Sequence, residues 1–593
     1  MKRFILVFSL VGLLLTAPAA RGQVFFVATV DQSQEPSPTG SQGQGTAWAI
    51  LASDLSTLTY RVTYANLDST FTAAHFHVGA PGVSGPVVFP LTFEGTTTSG
   101  TWSSVPDSIV RALLQGRLYV NIHSRARPAG EIRGQFNMVS GAGFSISLSG
   151  DQENPAVATG SSGTGWAWLD TTGHIRYRAT IAGLSDTLTA AHFHSAAPGT
   201  SGPVIHPVSF ADSTTQDTAA TFADSLLVKM LKGGVYLNVH SKAHPGGEIR
   251  GQLVQANGIR LVAWLDGLQE NPPNSSEATG SAWGKLSQDM SSLTYRATYA
   301  QLESTFTAAH YHLAPTGGVV HPVTFTGNTA EGIWNNIADT LLLALIKGNL
   351  YLNIHSRDFP GGEIRGFLKV AQGLGFTIGL DGSQENPATG TGAMGTGWAV
   401  LDSSAARLTY RATVAGLSDE MRAAHFHSGA AGVSGPVVHP VSFDDSTTQG
   451  TWTGFPDSIL TRLLNGEIYL NVHSATHPGG EIRGSLLIRE PLSTDVEPVA
   501  GRGIPASFRL EQNYPNPFNP STAIEFQLAR AAHVSLRVFN LLGQEVATLV
   551  NDARQAGVYR VTFDASALAS GVYFYRLATD NGVIASKKMM LLK

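Results

Sequence analysis

Apolar and polar residues alternate along much of this chain. In Leu58-Thr59-Tyr60-Arg61-Val62-Thr63-Tyr64, residues Leu58, Tyr60, Val62 and Tyr64 fall on one side and Thr59, Arg61 and Thr63 on the other. A period of two over such a stretch predicts a half-buried strand. Leu118, Val120 and Ile122 likewise oppose Tyr119, Asn121 and His123. Phe76 opposes His75 and His77, and Ile132 opposes Glu131 and Arg133. One helical signal interrupts the strands. From Pro106 to Leu114, residues Ile109, Val110, Leu113 and Leu114 share a face, and Gly116 ends the run. The same helical pattern opens again at Asp224, Asp339 and Asp457.

These elements belong to a repeat. The pair formed by His75/His77 and His123 returns as His192/His194 with His240, His310/His312 with His355, and His425/His427 with His473. The first histidines of successive copies are 117, 118 and 115 residues apart. Such spacing describes a repeated domain large enough to bury its own core. The repeats run 24–137, 143–254, 259–370 and 375–488. Each opens with a strand and a polar turn ending in Pro, as in Gln34-Glu35-Pro36 and Gln152-Glu153-Asn154-Pro155. Trp48, Trp166, Trp283 and Trp398 recur at one position, where core packing is expected. Short joints such as Ser140 to Gly143 leave little slack, which suits a stiff row of beads. Residues 489–505 are rich in Pro, Glu and Gly and read as a linker. Residues 506–593 alternate as strands again, with Asp580-Asn581-Gly582 as a hairpin turn, and predict a small β-sandwich.

Composition supports this picture. With Gly 64, Pro 29 and 14% charged residues among 593, the chain suits an all-β protein rich in tight turns. A net charge of −5 supplies no basic footprint, so nucleic acid is not an expected partner. Zero cysteines exclude disulfides, thiolate metal sites and a cysteine nucleophile. Lys2 and Arg3, the apolar run Phe4 to Leu15 and the small residues around Ala17 to Gly22 predict a signal peptide over residues 1–22. That run is short of the roughly 20 residues a spanning helix needs, and no transmembrane helix is expected after its removal.

The motif set Gln-Glu-Asn-Pro, Ala-His-Phe-His, Gly-Pro-Val-Val, Leu-Tyr-Val-Asn-Ile-His and Gly-Glu-Ile-Arg-Gly resembles the CHRD (chordin) domain family. The resemblance implies four tandem extracellular modules of β-sandwich or barrel-like fold, each with one short helix, and brings no catalytic residue. From Phe508 on, Asn513-Tyr514-Pro515-Asn516-Pro517-Phe518-Asn519-Pro520, Asn540-Leu541-Leu542-Gly543 and Ser570-Gly571-Val572-Tyr573 are similar to the C-terminal sorting domain of type IX secretion. That resemblance implies an immunoglobulin-like β-sandwich that engages the type IX machinery. The passenger is then released or held at the outer-membrane surface.

The candidate chemistry lies on the face opposite the aliphatic one. If that aliphatic face builds the core, each module turns three imidazoles outward together. His75, His77 and His123 form one set; His192, His194 and His240 the second; His310, His312 and His355 the third; His425, His427 and His473 the fourth. Two ligands on alternate positions of a strand and one from a neighbour can converge on Zn or Cu, leaving one position open. Tyr119, Asn121, Glu131 and Arg133 are the candidate supporting residues. The other reading of the same residues is a hydrogen-bonded network without metal. Glu131 and Arg133 are expected to form a cross-strand ion pair. His206, His321 and His439 precede a Pro, but the first copy has Phe89 there, so no fourth ligand at that position serves every module. No catalytic triad, glycosidase carboxylate pair or phosphate loop stands out. The lead expectation is therefore a secreted or cell-surface, non-enzymatic protein that binds an extracellular protein or glycan through several modules. The second is a Cu- or Zn-binding, redox-active protein with one three-His site per repeat.

Overall fold

The computed structural model describes residues 23–488 apart from 53–54, 171, 216–217 and 288. Beyond these it describes 497–498, 505, 507–518, 521–530, 532–539, 545–554, 556–565, 571–579 and 582–592. The predicted signal peptide and most of the predicted linker lie outside the described residues. The four repeats form one compact unit, and the C-terminal segment belongs to another.

In the first module the strands are β1 (Val24–Asp31), β2 (Gln44–Leu51), β3 (Thr57–Ala65), β4 (Phe71–Val78), β5 (Val87–Leu91) and β6 (Thr97–Ser103). Helix α1 (Asp107–Leu114) follows, then β7 (Leu118–Ser124) and β8 (Ile132–Gln135). All pairings are antiparallel, in the order β5-β4-β7-β8-β1-β2-β3-β6, and the sheet curls into a nearly closed barrel. The inside is filled by the residues that the alternation assigned to it: Phe26, Val62, Phe76, Val120, Ile122 and Ile132 are all fully buried. Burying each such side chain contributes on the order of 1.5–3 kcal/mol. Helix α1 adds Val110, Leu113 and Leu114 to this core.

The modules do not form a row. Modules 1 and 2 pack through the outer faces of β2–β3 and its counterpart, where Thr46 meets Thr180 and Thr63 meets Thr164, each hydroxyl pair at 2.7 Å. Thr164 is the counterpart of Thr46 and Thr180 that of Thr63, so the contact is self-complementary. Modules 3 and 4 repeat it, with Thr298 and Thr396 at 2.7 Å. Modules 2 and 3 meet instead through α2 (Asp224–Leu231) and α3 (Asp339–Ile346), where Lys347 pairs with Asp224 at 2.7 Å and Lys232 with Asp339. Modules 1 and 4 meet through α1 and α4 (Asp457–Leu464), with Arg111 donating to the Thr461 hydroxyl at 2.5 Å. Modules 2 and 3 share one hydrophobic core cluster and modules 1 and 4 another. The four modules thus close into a ring.

This overturns two expectations. The row of beads fails because the helix faces and the β2–β3 faces both find partners inside the chain. Nor is the recurring Trp a residue of the module core. Trp48 and Trp166 lie together in a separate cluster between modules 1 and 2 with Phe25, Val27, Val139 and Ala256. The Trp398 indole donates across the other such interface to the Ala263 carbonyl at 3.1 Å.

The C-terminal unit is a sandwich of two four-stranded sheets. One holds Glu497–Pro498, Gly557–Asp564, Ser521–Leu528 and Arg509–Leu510; the other holds Glu545–Arg554, Ala532–Phe539, Gly571–Thr579 and Gly582–Leu591. Ile524, Phe526, Leu536, Val561, Leu577 and Met589 fill the space between them. Tyr575 donates to the Glu511 carbonyl at 2.8 Å, and burial pushes its phenol up to about 12.

Candidate metal centre

Strands β4 and β7 are neighbours, with His75 opposite Asn121, His77 opposite Tyr119 and Ala73 opposite His123. That register gathers the three histidines on the outward side of the barrel wall. In each module the three rings offer nitrogen atoms that all lie within 4.8 Å of one another.

Backbone carbonyls set the tautomers. A carbonyl only accepts, so His77 Nδ1 donates to Gly85 O at 2.9 Å and His123 Nδ1 donates to Pro128 O at 3.1 Å. Both rings therefore carry their lone pair on Nε2. His75 Nδ1 stands 3.4 Å from His123 Nε2, and the same 3.4 Å separates His192 from His240, His310 from His355 and His425 from His473. The Nε2 atoms of His77, His194, His312 and His427 are buried without a hydrogen-bond partner. Burial, opposed by the carbonyl bond and reinforced by neighbouring rings, lowers the pKa of His77 and His123, so the neutral, ligating form is favoured. His194, His240, His355 and His473 shift down for the same first cause.

The supporting residues divide. Tyr119 stacks on His77 at 5.1 Å between ring centroids, and the Arg133 guanidinium stacks on the far side of Tyr119 at 3.5 Å. Each later module repeats this column, as with His194, Tyr236 and Arg250. Arg133 also donates to Val83 O at 3.0 Å and to Ala80 O at 2.9 Å, which pins the Gly/Pro loop that supplies the carbonyl for His77. The loop of the third module is three residues shorter, yet His312 Nδ1 still finds Gly317 O at 2.8 Å.

Glu131 does not join the cluster, and it does not pair with Arg133. Its carboxylate is fully buried and accepts from Ser41 Oγ and from the Asp68 backbone amide, both at 2.6 Å. It anchors the loops before β2 and β4. Its counterpart Glu248 is driven up by desolvation but pulled further down by Ser161, Ser241, Thr159 and the Ser185 amide, to about 2. The expected cross-strand ion pair fails because donors from two loops, Ser41 and the Asp68 amide, take the Glu131 carboxylate, while Arg133 is turned onto Tyr119 and the loop carbonyls.

The residue that sequence reasoning passed over is Glu35, with Glu153, Glu270 and Glu385. Its sequence context, Gln34-Glu35-Pro36, predicts only a polar turn. It is buried, and a Cβ added at Gly130 would sit 2.7 Å from Glu35 Oε1 and 2.6 Å from Asn121 Nδ2. Gly130 has φ 134°, and glycine alone leaves room there for the carboxyl and the amide to converge. Burial, opposed by Arg133, pushes Glu35 up to about 7, and the same holds in every module. Recurrence of Glu in all four turns was the available signal. His321 and His439 stack on Trp334 and Trp452 at 4.6 Å, while His206 packs against Phe222 at 5.4 Å, on the core side away from the triplets.

Comparison with known proteins agrees with this architecture. The CHRD domain matches at residues 26–136, 144–253, 261–368 and 376–486. The chain is 27% identical over 237 residues to chordin of Xenopus laevis, covering 37% of this chain and 25% of that protein. It is 28% identical over 177 residues to chordin of Danio rerio, covering 27% of this chain and 19% of that protein. The chain thus spans a quarter or less of these relatives. Among solved structures, a Salmonella alpha-2-macroglobulin mutant aligns at 10% identity over 97% of this chain and 40% of its own, with a TM-score of 0.12 that carries no argument. The secretion system C-terminal sorting domain matches at residues 512–591, marking the chain for export by type IX secretion, and no helix among the described residues is long and apolar enough to cross a membrane. With its four matches filling most of the first 488 residues, the chain belongs to the CHRD domain family.

Proposed function

We propose that this exported protein is a metal-binding protein that holds one Zn or Cu ion in each CHRD module, four per chain. The observation that carries the reading is the buried, unpartnered Nε2 of His77 and its three counterparts, each facing two further imidazoles. Two nitrogens bound at Zn–N distances of about 2.0–2.1 Å in a tetrahedral site stand roughly 3.3 Å apart. The His75–His123 separation of 3.4 Å matches that without rearrangement. A purely hydrogen-bonded cluster accounts for that one contact, with His75 donating to His123. It leaves His77 Nε2 buried and unsatisfied in all four modules, a cost of about 1–3 kcal/mol each time. Arg133 adds positive charge to the surroundings, but its guanidinium is set behind the Tyr119 ring and bonded to the loop carbonyls, so its repulsion of a bound cation acts across that ring and not at contact.

Binding is the role proposed: each module offers three neutral imidazole ligands and leaves the fourth position open. The test is metal analysis of the mature chain after loading with Zn or Cu and exhaustive exchange. Four equivalents are expected, falling to three when His77 is replaced by Ala. Retention of less than about a tenth of an equivalent per module would overturn the reading.

A further inference from the structure

The fourth coordination position has a chemical preference that follows from the charges around it. Resting on the metal reading above, the geometry points to an organic carboxylate as the exogenous ligand of each module. The three histidines supply no negative charge, and no Asp or Glu among the described residues belongs to the triplets. A divalent ion there keeps its full charge. Glu131 cannot neutralise it, being turned to Ser41 and the Asp68 amide.

The buried surroundings add to that charge. Arg133 is 1% exposed and reaches the site through a short column, 3.5 Å from the Tyr119 ring, which is itself 5.1 Å from His77. Its nearest counter-charge, Glu35, is pushed up to about 7 by burial and so compensates Arg133 only partly at neutral pH. An anion entering the fourth position meets uncompensated positive charge in a partly water-excluded wall, where electrostatic attraction is stronger than in bulk water.

The rim favours an organic anion over a strongly hydrated inorganic one. Val87 is the β-ladder partner of His77 and Pro90 that of His75, so both lie on the histidine side of the wall. Val87 is 51% exposed, and Val204, Val319 and Val437 at the same place are 52%, 57% and 51% exposed. An apolar lip beside a cationic centre fits a carboxylate carried on a small apolar or sugar body.

The experiment uses the full chain loaded with Co2+, whose visible spectrum reports its coordination. Acetate is expected to change that spectrum saturably, with an affinity at least about tenfold above that of acetamide, its uncharged analogue. Replacing Arg133, Arg250, Arg365 and Arg483 by Gln is expected to weaken acetate by roughly 3- to 20-fold. If that variant does not fold, the acetate–acetamide comparison on the natural chain decides alone. Equal affinities, or no response to acetate by bound Co2+, would overturn the inference while leaving the metal reading in place. Failure to bind Co2+ would remove both. Polygalacturonate separates the sources of the ligand: an affinity per carboxylate about a hundredfold above acetate assigns the sites to carboxylates on a polymer, engaged several at a time, and equal affinity assigns them to free carboxylates.

Discussion

Two outward faces of the same barrel read alike along the chain and end up in opposite roles. The outer face of β2–β3 carries Trp48, Arg61 and Thr63; the outer face of β4–β7 carries His75, His77, Asn121 and His123. Both come from period-two strands with an apolar inner side. The first face is sealed against the next module, where Thr63 is fully buried and Arg61 donates to the Gly163 carbonyl at 3.1 Å. The second keeps three convergent nitrogens, with the Nε2 of His77 buried and unpaired. The difference lies in hydrogen-bond satisfaction. Hydroxyls at the first face satisfy each other in pairs and close the surface. At the second, His77 and His123 each commit Nδ1 to a carbonyl and keep Nε2 towards the cluster.

The comparison can be broken most severely at the metal. Replacing His77, His194, His312 and His427 together by Ala is expected to abolish bound Zn or Cu, while near-ultraviolet circular dichroism of the metal-free chain keeps its native form. Loss of native signal in that variant would mean that the second face is structural like the first. Next in size, Thr63→Glu places an unpaired charge in the sealed face and is expected to cost about 3–5 kcal/mol in urea denaturation, with the metal content of the folded fraction unchanged.

A pH series sharpens the comparison further. Glu35, Glu153, Glu270 and Glu385 have their folded carboxyl raised from 4.5 to about 7 by burial, against the pull of an Arg. A raised carboxyl binds its proton more tightly when folded. The stability it contributes is full below the unfolded value of 4.5 and is lost as pH rises through about 7. Substituting Gln at all four positions should flatten that loss between pH 5 and 8, measured by denaturation midpoints. Glu248 has the opposite sign. Held down at about 2 by its hydrogen bonds, it contributes stability that is full above 4.5 and lost as pH falls through about 2, so Glu248→Gln should matter at pH 7 and not at pH 2. The smallest effect belongs to the helix faces. Lys232→Ala removes a solvent-exposed pair with Asp339 and should change the unfolding free energy by no more than about 1 kcal/mol.

Much of the site was legible because it depends on local periodicity. Alternation alone placed His75 and His77 on the side opposite Phe76, and His123 opposite Ile122. Whether β4 and β7 were neighbours was not legible, since pairing is a long-range choice between strands of similar pattern. The carbonyls of Gly85 and Pro128 that fix the tautomers were hidden for the same reason. Glu131 was misplaced because facing the same way as Arg133 along a strand says nothing about which loops reach it first. Glu35 was missed because a Pro-terminated polar turn is ordinarily exposed, and only the fold shows this one buried beside Arg133.

Taken alone, the order of residues determined the fourfold repeat, the β character, the inward and outward sides of each strand, and the exported tail. All of these follow from side-chain spacing and motif identity within short stretches. Only the tertiary structure decided that the modules close into a ring, that one polar face is spent on the neighbour, and that the other brings three imidazole rings together. Those outcomes depend on which surfaces meet across a hundred residues or more. That is settled by complementarity of shape and hydrogen bonding between whole modules, and no local pattern encodes it.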